Sequence, residues 1–330
     1  MTRKTTYRGV NFGGWLVLER FLTPSLFRDT TAQDEYSLSL LGKKYTKRIA
    51  SHQKNFITEA DFQWLATQNV PLIRIPVGDW LFGGEAPYIA SHKRLDWAFD
   101  MAEKYNLSIF LDVHGAKGGQ NYAAHCGRKD CGEWINTQAY QDHTYEFTIK
   151  LVKRYRNRAA FWGIELLNEP RFRLRDIVTF FRYYHKTKKA IHAIDDTIRI
   201  YIGDWYMPYL GLTVARILGV GLDCHFYHAF GGKKAASQKT IFKKLGRSRR
   251  FIKFASKISP HMIGEWSVVM GQTHRQLPSD MLKKQWLQEY GAAQLNAYSQ
   301  AHAWCYFNYK SEGGGTWSFQ EMVKTDILDL

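Results

Sequence analysis

Short runs rich in β-branched and aromatic residues alternate with longer stretches of helical apolar spacing along nearly the whole chain. The short runs predict eight strands: YRGVNF (7–12), PLIRIPV (71–77), LSIFLDVH (107–114), FWGIELLN (161–168), TIRIYIG (197–203), GLDCHFYH (221–228), HMIGEWS (261–267) and HAWCYFNYK (302–310). The stretches between them predict amphipathic helices, clearest over 58–69, 92–106, 138–157, 174–194 and 279–300. Eight βα units are the count of a (β/α)8 TIM barrel. A doubly wound sheet usually has fewer strands and a glycine-rich first turn, and no GxGxxG follows the first strand here. With no linker rich in Pro, Gly or Ser and no internal repeat, residues 1–330 read as a single α/β domain. The longest irregular stretches, 15–57, 78–91 and 115–137, each follow a strand, so they would gather where a barrel carries its substrate-binding loops.

Composition then narrows the class. At 330 residues and 45% hydrophobic content, the chain can bury one large core. The start, MTRKTTYRGVNFGGW, has no apolar stretch of signal-peptide length, and nowhere do about 18 uncharged apolar residues run together. The expectation is a cytoplasmic protein with no membrane span, with secretion by another route left open. The net charge of +16 is concentrated in GKKYTKR (42–48), KLVKRYRNR (150–158), KTKK (186–189) and KKLGRSRRFIK (243–253). Three of these runs lie on helical spacing, as Phe242, Leu245, Phe251 and Phe254 illustrate, and read as the wet faces of outer helices. No nucleic-acid signature accompanies them, so the expected partners exclude specific nucleic acid and include an anionic polymer or surface.

Four cysteines, at 126, 131, 224 and 305, are too few for a disulfide framework. Cys126 and Cys131 with His125 supply three zinc ligands at best, and no second cluster of suitable spacing follows. No metal is expected, and the pair reads as two thiols or one local disulfide.

The stretch GIELLNEP (163–170) is an apolar run that ends abruptly in an amide, a carboxylate and a proline. On a barrel, polar residues at the C-terminal end of a strand point into the mouth where the chemistry is done. Glu169 ends the fourth strand and Glu265 the seventh. Glycoside hydrolysis asks for such a pair: one carboxyl protonates the leaving oxygen, the other attacks the anomeric carbon, and a separation of about 5 to 5.5 Å gives retention. A lone strand-end glutamate would more simply pair with a lysine. Here Arg74, His114, Asn168, His225, Tyr227, Tyr309 and Lys310 stand at or near the other strand ends, and convergent polar groups in a barrel mouth mark a site.

From end to end the sequence resembles family 5 of the glycoside hydrolases, in particular its exo-β-1,3-glucanase branch. RGVNFGGWLVLERFLTPSLF (8–27) carries the resemblance most specifically. IRIPVGDW (73–80), DVHGAKGGQN (112–121), LLNEP (166–170), HFYHAF (225–230), IGEWS (263–267) and WCYFNYKSEGGGTWSF (304–319) follow in family order. The resemblance implies a retaining double displacement without a cofactor, with Glu169 as acid/base and Glu265 as nucleophile. It further implies that Arg74 supports the nucleophile, that Asn168 bonds the sugar 2-hydroxyl and that Tyr227 lies near Glu265. His114 and His225 would line the subsite where the bond breaks, and Glu19 would contact the terminal glucose. A guanidinium should keep Glu265 ionised, whereas Glu169 needs a less polar setting to hold a proton near neutral pH.

Two departures bear on specificity. The branch has a tryptophan before KTEN, flooring the sugar site, where this chain has Tyr309. After GGQN it has a phenylalanine, an aspartate and an asparagine where this chain has Tyr122, Ala123, Ala124 and His125, followed by CGRKDCG (126–132). The reading is a retaining β-glycosidase acting on β-glucan or an oligosaccharide, first as an exo-β-1,3-glucanase. A β-1,6-glucanase, a β-glucosidase of short glucosides and a non-catalytic glucan-binding barrel stand as alternatives. Retention of both glutamates argues against the last.

Overall fold

The computed structural model describes residues 6–230, 237–270 and 277–330. Its strands are β1 (Tyr7–Asn11), β2 (Leu72–Gly78), β3 (Ser108–Gly115), β4 (Phe161–Glu165), β5 (Ile200–Gly203), β6 (Gly221–His225), β7 (His261–Trp266) and β8 (Ala303–Tyr306). Each pairs in parallel with the next, and β1 pairs with β8 through Tyr7 to Ala303 and Val10 to Tyr306, closing an eight-stranded barrel. Helices α3 (Glu59–Thr67), α4 (His92–Lys104), α5 (Gln138–Tyr155), α6 (Ile177–Ile194), α7 (Pro208–Leu218), α8 (Gln238–Ala255) and α9 (Asp280–Tyr298) surround it, and α10 (Phe319–Lys324) ends the chain. This is the (β/α)8 fold that the alternating pattern predicts.

The strands read as near-continuous apolar runs because both of their faces are covered. Outward residues such as Ile73, Ile75, Ile109, Leu111 and Ile164 join the large core under the helices. A second cluster, Leu72, Phe110, Trp162, Tyr201, Met262 and Cys305, forms a smaller apolar core. On β3 and β6 the alternation switches to charge: Asp112 and His114 lie two and four residues beyond Phe110, and Asp223 precedes His225 by two. All four are buried.

Residues 15–57 are not wholly irregular as the sequence suggested. They contain α1 (Glu35–Leu40) and α2 (Lys43–Asn55). Asp34 caps α1 by accepting a 2.7 Å hydrogen bond from the Ser37 amide, a strong N-terminal signal. In α2 only Ile49 and Gln53 are buried, so its lysines mask the apolar period. All four basic runs lie largely on helices, at the start of α2, the end of α5, and within α6 and α8. No helix among the described residues is long and apolar enough to cross a membrane.

Candidate active site

Arg74 is the hub beneath the barrel mouth. It is wholly buried, and one of its terminal nitrogens contacts Asp112 at 3.0 Å, Glu265 at 3.1 Å and Asn11 at 2.9 Å. The other donates to Glu165 at 2.6 Å and to Asn168 at 2.8 Å, while Nε lies 3.5 Å from Asp223. Burial alone would favour the neutral guanidinium, but Asp112, Glu165, Asp223 and Glu265 more than reverse it and hold Arg74 charged. Four carboxylates around one cation leave an excess of negative charge. Burial, reinforced by Asp223, raises Glu165 far above the usual carboxylate range despite Arg74. Its Oε1 and Asp223 Oδ2 have no hydrogen-bond partner, and a ligating atom of each residue lies within 4.8 Å of the other. A proton on Glu165 relieves that pair.

Backbone geometry fits this cluster closely. The Gly264 amide donates to Asp223 Oδ1 at 2.6 Å, and a Cβ at Gly264 would lie 2.0 Å from Asp223 Oδ2. The glycine of IGEWS is therefore required by close approach.

Above this layer sit the paired glutamates. A carboxylate oxygen of Glu169 and one of Glu265 lie within 4.8 Å, and His225 Nδ1 stands between them, 2.7 Å from Glu169 Oε1 and 3.6 Å from Glu265 Oε2. Glu265 is oriented by Arg74 and by the Tyr227 hydroxyl, which donates to its Oε2 at 2.8 Å. Glu169 has φ of 41°, in the left-handed region that disfavours side chains other than Gly, Asn and Asp. The Asn121 side chain holds this conformation by donating to the Glu169 carbonyl at 3.0 Å, and the carboxyl is turned back into the mouth. Its Oε1 lies 2.7 Å from His225 Nδ1 and its Oε2 lies 3.4 Å from His125 Nε2. Burial alone would raise its carboxyl, but the hydrogen bond and charge of His225 outweigh that and hold it below the usual range. The less polar setting expected for Glu169 is thus replaced by a histidine pair, with the proton resting on His225, whose own range is raised by Glu265, Asp223 and Glu169 against its burial.

The structure brings most of the sequence-predicted residues together. His114 is buried, bonds Asp112 at 2.6 Å through Nδ1 and reaches Asn168 at 3.5 Å. Asn168 is buried beside Arg74. Glu19 is 5% exposed, so it is no solvated loop carboxylate. Its Oε1 has no hydrogen-bond partner, and burial, with Glu265 and Glu169 adding to it, raises the carboxyl to about 8 against the nearby His114.

Tyr309 is the exception and corrects the expected platform. It is fully buried, packs on Phe12 at 5.2 Å and Trp64 at 5.9 Å, and donates to Asp61 at 3.0 Å. Lys310 also bonds Asp61. After β8 the Tyr309 amide bonds the Asn11 carbonyl, and this directs the ring into the layer between barrel and helices. Phe307, two residues earlier, is on the mouth side: a Cβ on Gly13 would sit 3.1 Å from both its ring and Glu19 Oε1. Trp317 lies next to it at 6.1 Å and is stacked on the exposed Phe230 at 6.3 Å.

The buried Asp112, Glu165 and Asp223 were missed by reading strand ends alone. The signal that could have found them is a charge two or more residues before a strand-end polar group, as in LDVH, LDCH and IELLNE. Cys126 and Cys131 are free, buried thiols. Of the segment they bracket, Arg128, Lys129 and Asp130 are exposed, and it is tied down by Arg128 lying 4.3 Å above the Tyr36 ring and by the Lys129 amide bonding Asp34.

A closed parallel barrel whose mouth holds two carboxylates at this separation, one strained and histidine-bound, the other fixed by arginine and tyrosine, defines a glycoside hydrolase. The cellulase family model, glycosyl hydrolase family 5, matches residues 34–313. The chain belongs to glycosyl hydrolase family 5. It is 29% identical to a probable glucan 1,3-beta-glucosidase A of Emericella nidulans over 97% of this chain and 89% of that protein. To the sporulation-specific glucan 1,3-beta-glucosidase of Saccharomyces cerevisiae it is 28% identical, over 97% and 84%. Among solved structures, the rutinosidase from Aspergillus niger superposes with a TM-score of 0.82 at 16% identity, covering 99% of both chains.

Proposed function

We propose that this chain is an exo-acting β-1,3-glucanase that releases glucose by retaining double displacement. The observation that carries the reading is the facing of Glu169 and Glu265 within 4.8 Å across His225, a spacing suited to direct attack rather than to a water between the carboxylates. Glu265 attacks the anomeric carbon while the proton held at Glu169 and His225 passes to the glycosidic oxygen, and the aglycone departs. Glu169 then takes a proton from water, whose oxygen attacks the same carbon and frees Glu265. Asn168 and His114 serve the 2-hydroxyl and its neighbours, and the protonated Glu19 donates to a terminal sugar hydroxyl. The full-length relatives named glucan 1,3-beta-glucosidases support the linkage.

Digestion of laminarin, pustulan and laminari-oligosaccharides tests this. Glucose alone from laminarin is expected. A ladder of products would indicate endo action, faster release from pustulan would indicate a β-1,6-glucanase, and no release would leave a binding barrel.

The exposed Phe21 and Phe230 beside Trp317 favour a second reading, a β-glucosidase of short glucosides with an aromatic aglycone. A kcat/KM on aryl glucosides far above that on laminaribiose and laminaritriose would support it. The basic faces of α2, α6 and α8 support attraction to anionic polymers or surfaces. Retention on a polyanion that is abolished by about 0.5 M salt would test that attraction.

A further inference from the structure

Gln120 and Asn121 lie side by side on the loop after β3, and both are buried. The glycine before them turns the chain inward: Gly119 has φ of 68°, and a Cβ there would meet the Cys131 carbonyl at 2.2 Å. The carbonyls of Gly118 and Gly119 accept the amides of Glu133 and Trp134 at 2.7 and 3.3 Å. Trp134 is fully buried, and its indole donates to Thr144 of α5 at 3.0 Å. The loop is thereby anchored to the helix layer.

The residues it faces are those around Glu169. Pairing of β4 with β3 ends at Glu165 and Asp112, and the backbone beyond needs other partners for its polar groups. Gln120 Nε2 donates to the carbonyls of His114 at 2.6 Å and Asn168 at 3.0 Å, while its Oε1 accepts the Ala116 amide at 3.2 Å. Asn121 Nδ2 donates to the Glu169 carbonyl at 3.0 Å, its orientation fixed by the Ala123 amide, which donates to Oδ1 at 2.9 Å. The Arg171 amide donates to the Gln120 carbonyl at 2.9 Å, and the Arg171 guanidinium lies 4.7 Å over the Tyr122 ring. Pro170 has no amide to offer. Two consecutive residues of one loop thus hold the carbonyls of 168 and 169 and the amide of 171.

Glu169 needs such holding. At φ of 41° its backbone is strained, and a strained residue persists only where its surroundings over-determine it. Relaxation to negative φ would re-aim its Cα–Cβ bond and carry the carboxyl away from His225. We propose that Gln120 and Asn121 are positioning residues, a clamp that keeps the backbone of Glu169 in this conformation so that its carboxyl stays aimed at the glycosidic oxygen. This rests on the reading of Glu169 as acid/base. A misplaced acid costs most where the leaving group is poor, because an activated phenolate departs without a proton. In the second step Glu169 must take a proton from water, so its misplacement makes the glycosyl-enzyme accumulate.

The test compares the wild type, Asn121→Ala, Gln120→Met and Glu169→Ala on laminaribiose and on a dinitrophenyl β-glucoside. Asn121→Ala should lower kcat/KM on laminaribiose by about a hundredfold, the cost of misplacing a reacting group by about 1 Å, and Gln120→Met should lower it in the same pattern. On the dinitrophenyl glucoside kcat and KM should fall together, leaving kcat/KM within about threefold of wild type. Azide should then raise kcat by attacking the glycosyl-enzyme without help from a base, and should give the glucosyl azide of retained configuration. An equal loss of kcat/KM on both substrates in either variant, or no loss on laminaribiose, would overturn the proposal, because a merely structural role does not tell leaving groups apart. If Asn121→Ala does not fold, Asn121→Asp is read in the same way. It keeps the acceptor for the Ala123 amide and lacks the donor, and its added charge favours the proton on Glu169, which works against the expected fall. Glu169→Ala separates the two readings. If it shows the split between substrates and the Asn121 variant does not, the clamp alone is overturned. If Glu169→Ala itself shows no split, the assignment of Glu169 as acid/base is overturned and the clamp with it.

Discussion

His225 holds Glu169 through a 2.7 Å contact between Nδ1 and Oε1. Each partner moves the other's titration. Glu169 is held below its ordinary 4.5 and His225 above its ordinary 6.5. A depressed carboxyl contributes stability that is present above its unfolded value and lost as pH falls through the folded one. A raised imidazole contributes stability that is present below its unfolded value and lost as pH rises through the folded one. Both contributions are complete between pH 4.5 and 6.5. His225→Gln should therefore cost most stability in that window, roughly 3–5 kcal/mol for breaking a buried pair. Thermal melts of both proteins from pH 3 to 9 check this, and a loss independent of pH would show that no ion pair is involved.

Glu265→Ala should lower kcat by roughly 10⁴-fold or more, as removal of a nucleophile does. Azide should restore turnover by entering the vacated space and should yield the glycosyl azide of inverted configuration. Mass and NMR analysis of the products would read this. Near wild-type activity without azide would place the nucleophile elsewhere.

Glu165→Gln is expected to keep the fold, because the carboxyl it replaces is already protonated. A carboxyl raised by burial costs the folded state stability as pH climbs above its ordinary 4.5. The amide removes that cost, so the variant's advantage in Tm should widen from pH 5 to 9. A Tm below wild type at every pH would show that Arg74 requires the charge on Glu165.

Phe307 and Tyr309 are separated by one residue and should differ sharply on substitution. Tyr309→Phe loses the bond to Asp61, worth about 1 kcal/mol of stability, and should leave KM unchanged. Phe307→Ala should raise KM by about tenfold through loss of an apolar wall beside Glu19. Steady-state kinetics with a laminari-oligosaccharide separates them, and the reverse pattern would restore Tyr309 as the platform.

The strands were legible because runs such as PLIRIPV are buried on both faces and bounded by polar turns. Glu169 and Glu265 were legible because charge at the end of such a run has few structural uses. Helix α2 was not, since its lysines hide a narrow apolar stripe. The turn of Tyr309 away from the mouth depends on where the chain bends after Tyr306, which no periodicity records. The approach of Tyr206 to Glu169 depends on two successive residues in left-handed conformations, Trp205 and Tyr206 at φ of 53° and 57°. Neither is a glycine, so the sequence carries no sign of that bend.

Arg74 lies on β2, and its partners Asn11, Asp112, Glu165, Asp223 and Glu265 lie on β1, β3, β4, β6 and β7. Dividing the chain between β4 and β5 would strand Asp223 and Glu265 in the second half with no guanidinium to meet them. Neither half barrel has a balanced interior, so the two should not fold as separate pieces. A cut-and-mix experiment should recover a native barrel only when both halves are present during refolding, which makes one side chain the lock on closure of the whole ring.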